Sequence, residues 1–291
     1  MSDLLYPVVL NEPGYTPDKN KCKIWYFGVP FDATICYLEG CRFGPKVFRE
    51  ALFQNEVYDI NTGTNLLDVG FFDLGDLEPV RQSVQKTVER VKEQAAHILD
   101  KGKFPLMIGG EHTLTAGCVW ACAEKFKDIK VVQFDAHDDL RTEFEGIKYD
   151  HACAMNLCVE KIGIKNLLEI GIRASPQSSA KFKNQIIYRY QLRDNFEAAK
   201  KKLLEFVKDA NVYITVDMDC FDPGIAPGVG TPEPDGLLYH EVLELMKVLK
   251  NAQKIVGMDI VELRPLPDNC VTEMTASKLL METIAQLKDK I

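Results

Sequence analysis

Acidic side chains follow an apolar segment at residues 211–216, and their spacing suits metal binding. Asp217 and Asp219 lie two residues apart directly after that segment. Residues i and i+2 of an extended chain project from the same face, so both carboxylates are predicted to point the same way. Two uncompensated carboxylates beside a buried strand would repel each other and resist burial. A divalent cation between them is the simplest compensation.

Two other apolar segments also end in residues of ligand type. Residues 130–134 are followed by Asp, His and Asp at alternate positions, and residues 104–108 are followed by Gly-Gly-Glu-His. The candidate metal ligands are His112, Asp135, His137, Asp139, Asp217 and Asp219. They are too many for one ordinary zinc site and lack zinc-finger spacing, but shared carboxylates would let them hold two metals about 3.5–4 Å apart. Imidazole and carboxylate together favour manganese over calcium or zinc.

Each of these residues also has an ordinary interpretation. A lone Asp at the end of a strand usually caps a helix or a turn, and a lone His usually lies in the core or on the surface. Three strand ends that all carry ligand-type residues favour a site, because sites of α/β proteins form at the carboxyl ends of strands.

Length, charge and cysteine content limit the classes of function. The chain has 291 residues, enough for one large domain, and its net charge of −8 disfavours binding to nucleic acids or acidic membranes. No apolar run reaches the length of about 18 residues that a membrane-spanning helix needs. The amino terminus lacks the basic and apolar regions of a secretion signal, so the nine cysteines are interpreted as mostly reduced thiols of a cytoplasmic protein.

Apolar periodicity predicts strands and helices that alternate along the chain. Strands are predicted at residues 24–29, 104–108, 130–134, 168–172, 186–190, 211–216 and 254–261. Helices are predicted at residues 84–98, 115–126, 196–208, 239–249 and 271–287. This alternation is typical of an α/β protein whose mostly parallel sheet is covered by helices on both sides, and no linker interrupts it, so residues 1–291 are predicted to form a single domain. The long segments 139–152 and 221–238 follow the ligand clusters and are predicted to be pocket walls.

Several sequence blocks resemble those of the ureohydrolases, the arginase–agmatinase family, over nearly the whole chain. GGEHT at residues 109–113 resembles the family's GGDHS block, DAHDD at 135–139 fits its DAHxD block, and DMDCFDP at 217–223 fits its DxDxxDP block, which PGVGTP continues. GVPFD at 28–32 and RFGP at 42–45 resemble its amino-terminal signatures. The departures from the family pattern, none of them at a presumed ligand, are Glu111, Thr113, Val229 and Asp235.

The resemblance implies a three-layer α/β/α sandwich with a mostly parallel central sheet and a centre of two manganese ions. One ion would be held by His112, Asp135, Asp139 and Asp217. The other would be held by Asp135, His137, Asp217 and Asp219. The ions would lower the pKa of a shared water, which would attack the carbon of a guanidinium group and release urea and an amine. The family also suggests a homo-oligomer, either a trimer or a hexamer.

The resemblance further implies roles for three residues near the metals. Asp139 would carry a proton to the leaving amine, Glu262 would accept hydrogen bonds from the guanidinium, and His151 would line the pocket and shuttle protons. An ion pair with Arg264 is the alternative for Glu262. A structural loop histidine is the alternative for His151.

The loop at residues 140–155 carries the prediction of substrate. It lacks the Ser-Gly-Asn-His-Gly run with which arginases hold the α-carboxylate and α-amino groups, and it looks like the agmatinase subgroup. Glu143, Glu145 and Asp150 could make the entrance acidic, which would favour a terminal amine over a carboxylate; the alternative is that they are ordinary solvated surface residues. The chain is therefore predicted to hydrolyse agmatine, a small cationic guanidino compound, to putrescine and urea. The alternative substrates are N1-aminopropylagmatine, guanidinobutyrate and arginine.

Two other classes of protein compete with this interpretation. Histone-deacetylase-like hydrolases resemble ureohydrolases in architecture but hold a single zinc ion, and the second histidine-containing block together with the Asp-x-Asp pair argues against them. A non-catalytic binding protein of the same fold is the other class, and clustered carboxylates without a metal would make it unstable. Metal stoichiometry and urea release separate the three.

Overall fold

An eight-stranded sheet forms the centre of the molecule in the computed structural model, which describes residues 17–291. The strands are β1 Ile24–Gly28, β2 Tyr58–Asp59, β3 Thr64–Asn65, β4 Phe71–Asp76, β5 Phe104–Ile108, β6 Lys130–Phe134, β7 Leu167–Ile172, β8 Ile186–Tyr188, β9 Asn211–Asp217 and β10 Lys254–Val261. The helices are α1 Gly44–Gln54, α2 Val84–Asp100, α3 Thr115–Lys125, α4 Ala154–Ile162, α5 Arg189–Asp194, α6 Phe196–Val207, α7 Tyr239–Val248 and α8 Val271–Leu287. The order in the main sheet is β4–β1–β5–β10–β9–β6–β7–β8, and every neighbouring pair is parallel, whereas β2 and β3 form a separate antiparallel hairpin.

Apolar side chains lie on both faces of the main sheet, and helices cover each face. In β5, Leu106 and Ile108 belong to one buried cluster, whereas Met107 between them belongs to another. Helices α1, α6, α7 and α8 contribute to the first cluster, and α2, α3 and α4 contribute to the second. Because a parallel sheet must be covered on both sides, this arrangement produces three layers. The predicted α/β/α sandwich is confirmed.

The four central strands bring distant parts of the chain to one edge of the sheet. β5, β10, β9 and β6 are adjacent and parallel, so their carboxyl ends lie side by side. His112 follows β5, Glu262 follows β10, Asp217 ends β9 and Asp135 follows β6. Ligands of α/β proteins bind at the carboxyl ends of strands where the chain leaves neighbouring strands in opposite directions, and it leaves β9 towards β10 but β6 towards β7.

The predicted elements agree with the structure to within two residues at their ends, but some elements are not predicted. The strand expected at 186–190 ends at Tyr188, because the Gln191 side chain accepts a hydrogen bond from Tyr188 N and starts α5. The pattern does not predict β4, since Asp73 interrupts its apolar residues. Asp73 is nevertheless buried, and Tyr26 and Arg49 donate hydrogen bonds to it at 2.7 and 2.8 Å. The short helices α1 and α4 are also missing from the prediction.

The remaining sequence predictions concern the number of domains, the absence of membrane-spanning helices and the state of the cysteines. The single-domain assignment stays a prediction, and its residues 1–16 lie outside the described residues. Along residues 17–291, no helix combines the length and the apolar composition that a bilayer crossing requires. Within residues 17–291, Cys36 and Cys270 are exposed free thiols, whereas Cys41, Cys118, Cys122, Cys153, Cys158 and Cys220 are buried free thiols.

Candidate metal centre

Turns, rather than extended strands, bring the six predicted ligands together. β9 ends at Asp217, and a 3₁₀ turn over Met218–Cys220 follows, within which Asp219 N donates a hydrogen bond to Asp217 Oδ1 at 2.8 Å. After β6, His137 still forms a β-bridge with Ala174, but Asp139 has a left-handed φ of 48°, so the chain does not stay extended as far as Asp139. The predicted convergence of the carboxylates is observed, but the extended geometry from which it was predicted is wrong. A tight turn lets each carboxylate reach inwards within a few residues of its strand end.

His112 Nδ1 is surrounded by three carboxylates. Its distances to the Oδ2 atoms of Asp139, Asp135 and Asp217 are 3.0, 3.1 and 3.4 Å. Nδ1 makes no hydrogen bond within the described part of the chain, whereas Nε2 lies 3.0 Å from Thr215 Oγ1. When Nε2 donates to Thr215, Nδ1 carries a lone pair that faces three anions. Such an arrangement calls for a cation between the nitrogen and the oxygens.

A second group of ligand atoms lies on the other side of Asp135. His137 Nδ1 is 3.0 Å from Asp219 Oδ2 and 3.7 Å from Asp135 Oδ1. Asp135, His137 and Asp219 offer ligand atoms within 4.8 Å of one another, and so do His112, Asp135 and Asp139. Asp135 thus belongs to both groups, with Oδ2 towards His112 and Oδ1 towards His137. This is the arrangement expected of a bridging carboxylate.

The spacing of these atoms fits the coordination shell of a divalent ion. Ligands placed about 2.1 Å from an octahedral ion lie about 3.0 Å apart, and distances of 3.0 to 3.4 Å separate His112 Nδ1 from its three carboxylates. Asp217 belongs to neither three-residue group, although its Oδ2 is one of these three oxygens. Four aspartates would also balance the charge of two dications. The residues present therefore fit a pair of divalent ions.

The buried carboxylates and imidazoles perturb one another's pKa values. Burial lowers the pKa of His112, but close contacts with Asp135, Asp139 and Asp217 raise it well above its usual value. Burial raises the pKa of Asp139 to about 6, since the opposing effect of His112 is smaller. Burial and the charges of Asp219 and Asp135 raise the pKa of Asp217 well above its usual range. Such a cluster holds protons that cations would displace.

A row of buried polar side chains lies behind the candidate ligands. Four residues that are fully buried and adjacent across the sheet form this polar row: Asp259 on β10, Thr215 on β9, Gln133 on β6 and Glu169 on β7. Gln133 Nε2 donates a hydrogen bond to Asp135 Oδ2 at 2.6 Å, and Thr215 contacts His112. Apolar periodicity does not predict this row. In the sequence, each of these four apolar strands contains one of these polar residues in its interior. In β6 and β9 this residue lies two positions before a candidate ligand.

Glu262 lies beside the ligands and is 5% exposed. The backbone N of His112 donates a hydrogen bond to its Oε1 at 2.8 Å. Burial raises the pKa of Glu262 to about 8, against the opposing charge of His151. The alternative ion pair with Arg264 is not found in the described structure, where Arg264 Nε donates to the Glu39 carbonyl at 2.9 Å. The φ of Glu262 is 60°, a left-handed value that costs a non-glycine residue about 1–2 kcal/mol and often marks a functional position.

His151 is held between two loops at the same site. Its Nδ1 lies 3.1 Å from Asp150 Oδ1, and its Nε2 lies 3.5 Å from Cys36 Sγ. Its backbone N donates to Thr34 Oγ1 at 3.0 Å, and that hydroxyl donates to the buried Glu111 at 2.9 Å. Burial lowers the pKa of His151, but the hydrogen bond with Asp150 and further carboxylate charges raise it to about 10. The imidazole is therefore protonated at neutral pH.

A cavity of about 320 Å³ opens over the ligands, and the three candidate catalytic residues line it, namely Asp139, His151 and Glu262. Both long loops supply parts of its wall, as the sequence predicted. The loop at 139–152 contributes Arg141 and Phe144, and the loop at 221–238 contributes Thr231 and Glu233.

The acidic residues that were predicted at the entrance do not line the cavity, although another carboxylate, Glu233, does. Glu143 and Glu145 are exposed and are not among the residues that line the cavity. Asp150 is buried, and its Oδ1 accepts a hydrogen bond from Ala152 N and caps the turn there. The cavity wall also carries a cation, Arg141, whose guanidinium lies 5.1 Å from the centre of the Phe144 ring. Because the wall contains both Glu233 and Arg141, its charge does not decide between an amine and a carboxylate.

Comparison with known proteins identifies similar chains along almost the whole sequence. A family model described as the arginase family matches residues 22–285. The agmatinase of Bacillus subtilis (strain 168) is 32% identical over 273 residues, which cover 92% of this chain and 93% of that protein. The N(1)-aminopropylagmatine ureohydrolase of Synechocystis sp. is 35% identical over 261 residues, which cover 86% of this chain and 84% of that protein. The crystal structure of agmatine ureohydrolase of Thermoplasma volcanium is 37% identical, with a TM-score of 0.84 over 94% of this chain and 93% of that chain.

Proposed function

The chain belongs to the arginase family, and on that premise we propose that it hydrolyses agmatine to putrescine and urea with two manganese ions. It is a hydrolase that acts on a guanidino C–N bond, since its relatives along almost the whole chain are an agmatinase and a ureohydrolase. One observation carries the proposal. Glu262, a buried carboxylate that can accept hydrogen bonds from a guanidinium, lies directly beside residues that fit two metal ions.

Two overlapping sets of residues would hold the ions. The first set is His112, Asp135, Asp139 and Asp217, and the second is Asp135, His137, Asp217 and Asp219. Both observed three-residue groups fall within these sets, and Asp135 occurs in both groups. Bound ions would supply a water of lowered pKa as the nucleophile. The mixture of imidazole and carboxylate favours manganese among the divalent ions.

Glu262 would bind and orient the guanidinium. Its Oε1 already accepts one hydrogen bond from His112 N and keeps a second lone pair, and its Oε2 is near Gly230, where an added Cβ would lie 3.6 Å away. The absence of a side chain at position 230 leaves room beside Oε2 for a planar group. A carboxylate in this position accepts two parallel N–H bonds and aligns the guanidinium carbon with the ligand cluster.

Asp139 and His151 would handle the protons. Asp139 is both a candidate ligand and part of the cavity wall, so it can carry a proton from the reacting centre to the leaving amine. His151 lines the same cavity and is protonated at neutral pH, so it can donate or return a proton there. These roles stay predictions until variants are measured.

The choice of agmatine depends on the loop at residues 140–155 and on the agmatinase relatives. N1-aminopropylagmatine is the second candidate substrate, because a ureohydrolase named for it is 35% identical to this chain. Arg141 in the cavity wall is the feature that would favour a substrate with a carboxylate, such as guanidinobutyrate or arginine.

A comparison of four substrates tests the proposal. Urea release is measured with manganese for agmatine, N1-aminopropylagmatine, guanidinobutyrate and arginine, with metal-free protein as the control. We expect the highest kcat/KM for agmatine and no urea from the metal-free protein. A higher kcat/KM for arginine than for agmatine would overturn the substrate assignment and would give Arg141 a role in binding the carboxylate.

Metal content and assembly are measured on the same preparation. Two ions per chain support the binuclear centre, whereas a single zinc ion per chain would favour the mononuclear alternative. We also propose a homo-oligomer, either a trimer or a hexamer, which light scattering coupled to size-exclusion chromatography tests. A fully active monomer would contradict it. The cytoplasmic location stays a prediction.

A further inference from the structure

Glu169 is a buried acid without a partner. It lies on β7, is 0% exposed, and neither carboxyl oxygen has a hydrogen-bond partner among residues 17–291. An isolated ionised carboxylate in such a place would be very unfavourable, and even a neutral one needs a partner for its O–H. Burial, together with the charges of Asp138, Asp135 and Asp139, raises the pKa of Glu169 well above its usual range. Complete burial without any hydrogen-bond partner thus favours the neutral acid, whose O–H needs an acceptor.

Gln133 is the neighbour that needs such a donor. It pairs with Glu169 across β6 and β7, so the two side chains project from the same face of the sheet, about 5 Å apart at the backbone. Gln133 Nε2 donates to Asp135 Oδ2 at 2.6 Å, but Gln133 Oε1 is buried and accepts no hydrogen bond from any described residue. Asp138 is the charged group that contributes most to the raised pKa of Glu169. It already accepts hydrogen bonds from Leu140 N and from Ser175 Oγ.

We propose that Glu169 is a positioning residue: its carboxylic acid donates to Gln133 Oε1 and thereby holds the Gln133 amide with Nε2 towards Asp135. Without that donor, Gln133 Oε1 has no partner, and the amide is held only by the hydrogen bonds that Nε2 donates to Asp135 Oδ2 and to the His137 carbonyl, so its position is less firmly fixed. In a reversed orientation Oε1 faces the Asp135 carboxylate and repels it. A neutral acid does this without adding a negative charge behind a site that already contains four aspartates. The role rests on the proposed metal centre, in which Asp135 bridges the two ions.

A set of variants tests whether the donated hydrogen bond matters. Glu169→Gln keeps an N–H donor, so its manganese dissociation constant should stay within about threefold of wild type. Glu169→Leu removes the donor and should raise that constant by about 10- to 100-fold, as loss of a partner that orients a ligand does. Glu273→Leu is the matched control, because Glu273 on α8 is also a buried acid with an unpartnered oxygen and lies outside the site. It should leave manganese binding unchanged.

A double-mutant cycle tests whether Glu169 acts through Gln133. Glu169→Leu should weaken manganese binding no further once Gln133→Leu is present. Additive effects, or equal weakening by Glu169→Gln and Glu169→Leu, would overturn the proposal.

A spectroscopic measurement does not depend on the leucine variants folding. The infrared spectrum of the metal-free wild type at neutral pH should contain the C=O band of a protonated carboxylic acid that Glu169→Gln lacks. Absence of that difference would also overturn the proposal. A wild type that binds fewer than two ions but shows the band would refute the proposed metal centre and leave the Glu169–Gln133 pair in place.

Discussion

Replacing Glu262 with glutamine removes the negative charge that the carboxylate carries beside bound cations, but it keeps the shape of the side chain. The glutamine Oε1 can still accept the hydrogen bond from His112 N, which lies 2.8 Å from Glu262 Oε1. His112 should therefore keep its position, and both ions should stay bound. The other half of the amide becomes an NH₂ group, which opposes the N–H groups of a guanidinium instead of accepting hydrogen bonds from them. Substrate binding should weaken while metal binding does not change.

The size of the loss follows from the burial of the carboxylate. Glu262 is 5% exposed, so its pairing with a cation is poorly screened by water. Losing a charged hydrogen bond in such a place costs about 2–4 kcal/mol of transition-state stabilisation. Since about 1.4 kcal/mol corresponds to a tenfold change in rate, kcat/KM for agmatine should fall by about 30- to 900-fold.

The assay combines urea release with metal analysis of the same protein. Glu233→Gln is the matched control, because Glu233 is a partly exposed carboxylate in the wall of the same cavity. Exposed charge pairs contribute about 0.2–1 kcal/mol, so this control should lose less than about fivefold. Loss of manganese from Glu262→Gln would place Glu262 among the ligands and refute its role as a guanidinium acceptor. A decrease no larger than that of Glu233→Gln would refute a specific contact.

Three further predictions concern the ligands, a histidine and a thiol. Asp217→Asn should lose manganese, and its rate should fall at least about a thousandfold, because the substitution removes a bridging charge. Activity within about tenfold of wild type at matched metal content would contradict the assignment of Asp217 as a bridging ligand. The pKa of His151 is raised to about 10 in the folded chain and is about 6.5 in an unfolded one, so its stabilising effect is full below about pH 6.5 and is lost as the pH rises through about 10. Urea unfolding of metal-free wild type and His151→Asn should show a difference in the free energy of unfolding that shrinks over that range, and a constant difference would argue against a charged imidazole. Iodoacetamide should inactivate the wild type by alkylating Cys36, an exposed thiol that lines the cavity. The control Cys270→Ser, which lacks the exposed thiol outside the cavity, should stay sensitive, whereas a Cys36→Ser variant that is inactivated as fast as wild type would disprove the prediction.

The sequence by itself determined the fold and the candidate ligands because both are recorded locally. Apolar periodicity depends on residues within one element, so the ends of β5, β6 and β10 are predicted at the residues where the structure has them. The candidate ligands lie within a few residues of strand ends, and parallel strands place those ends at one edge whatever the loops do. The six residues could therefore be predicted to meet, although the turns that aim them could not.

The tertiary structure alone decided what each side chain faces. β4 contains a buried aspartate that no local pattern would allow, and it is stable there because Arg49 and Tyr26 from other elements donate to Asp73. Whether a glutamate such as Glu262 pairs with Arg264 or remains open to a ligand depends on backbone carbonyls that are distant in sequence.

Charge around the cavity shows the same limit. The acidic residues of the loop at 139–152 were expected to line the entrance, but side-chain direction in an irregular loop follows from packing and not from composition. Glu143 and Glu145 are exposed and do not line the cavity, whereas Arg141 does. The polar row behind the ligands arises only when strands that are far apart in the chain align in register. The hydrogen-bond partner of a side chain is set by the tertiary structure, so the sequence predicts it only where the two partners are also close in sequence.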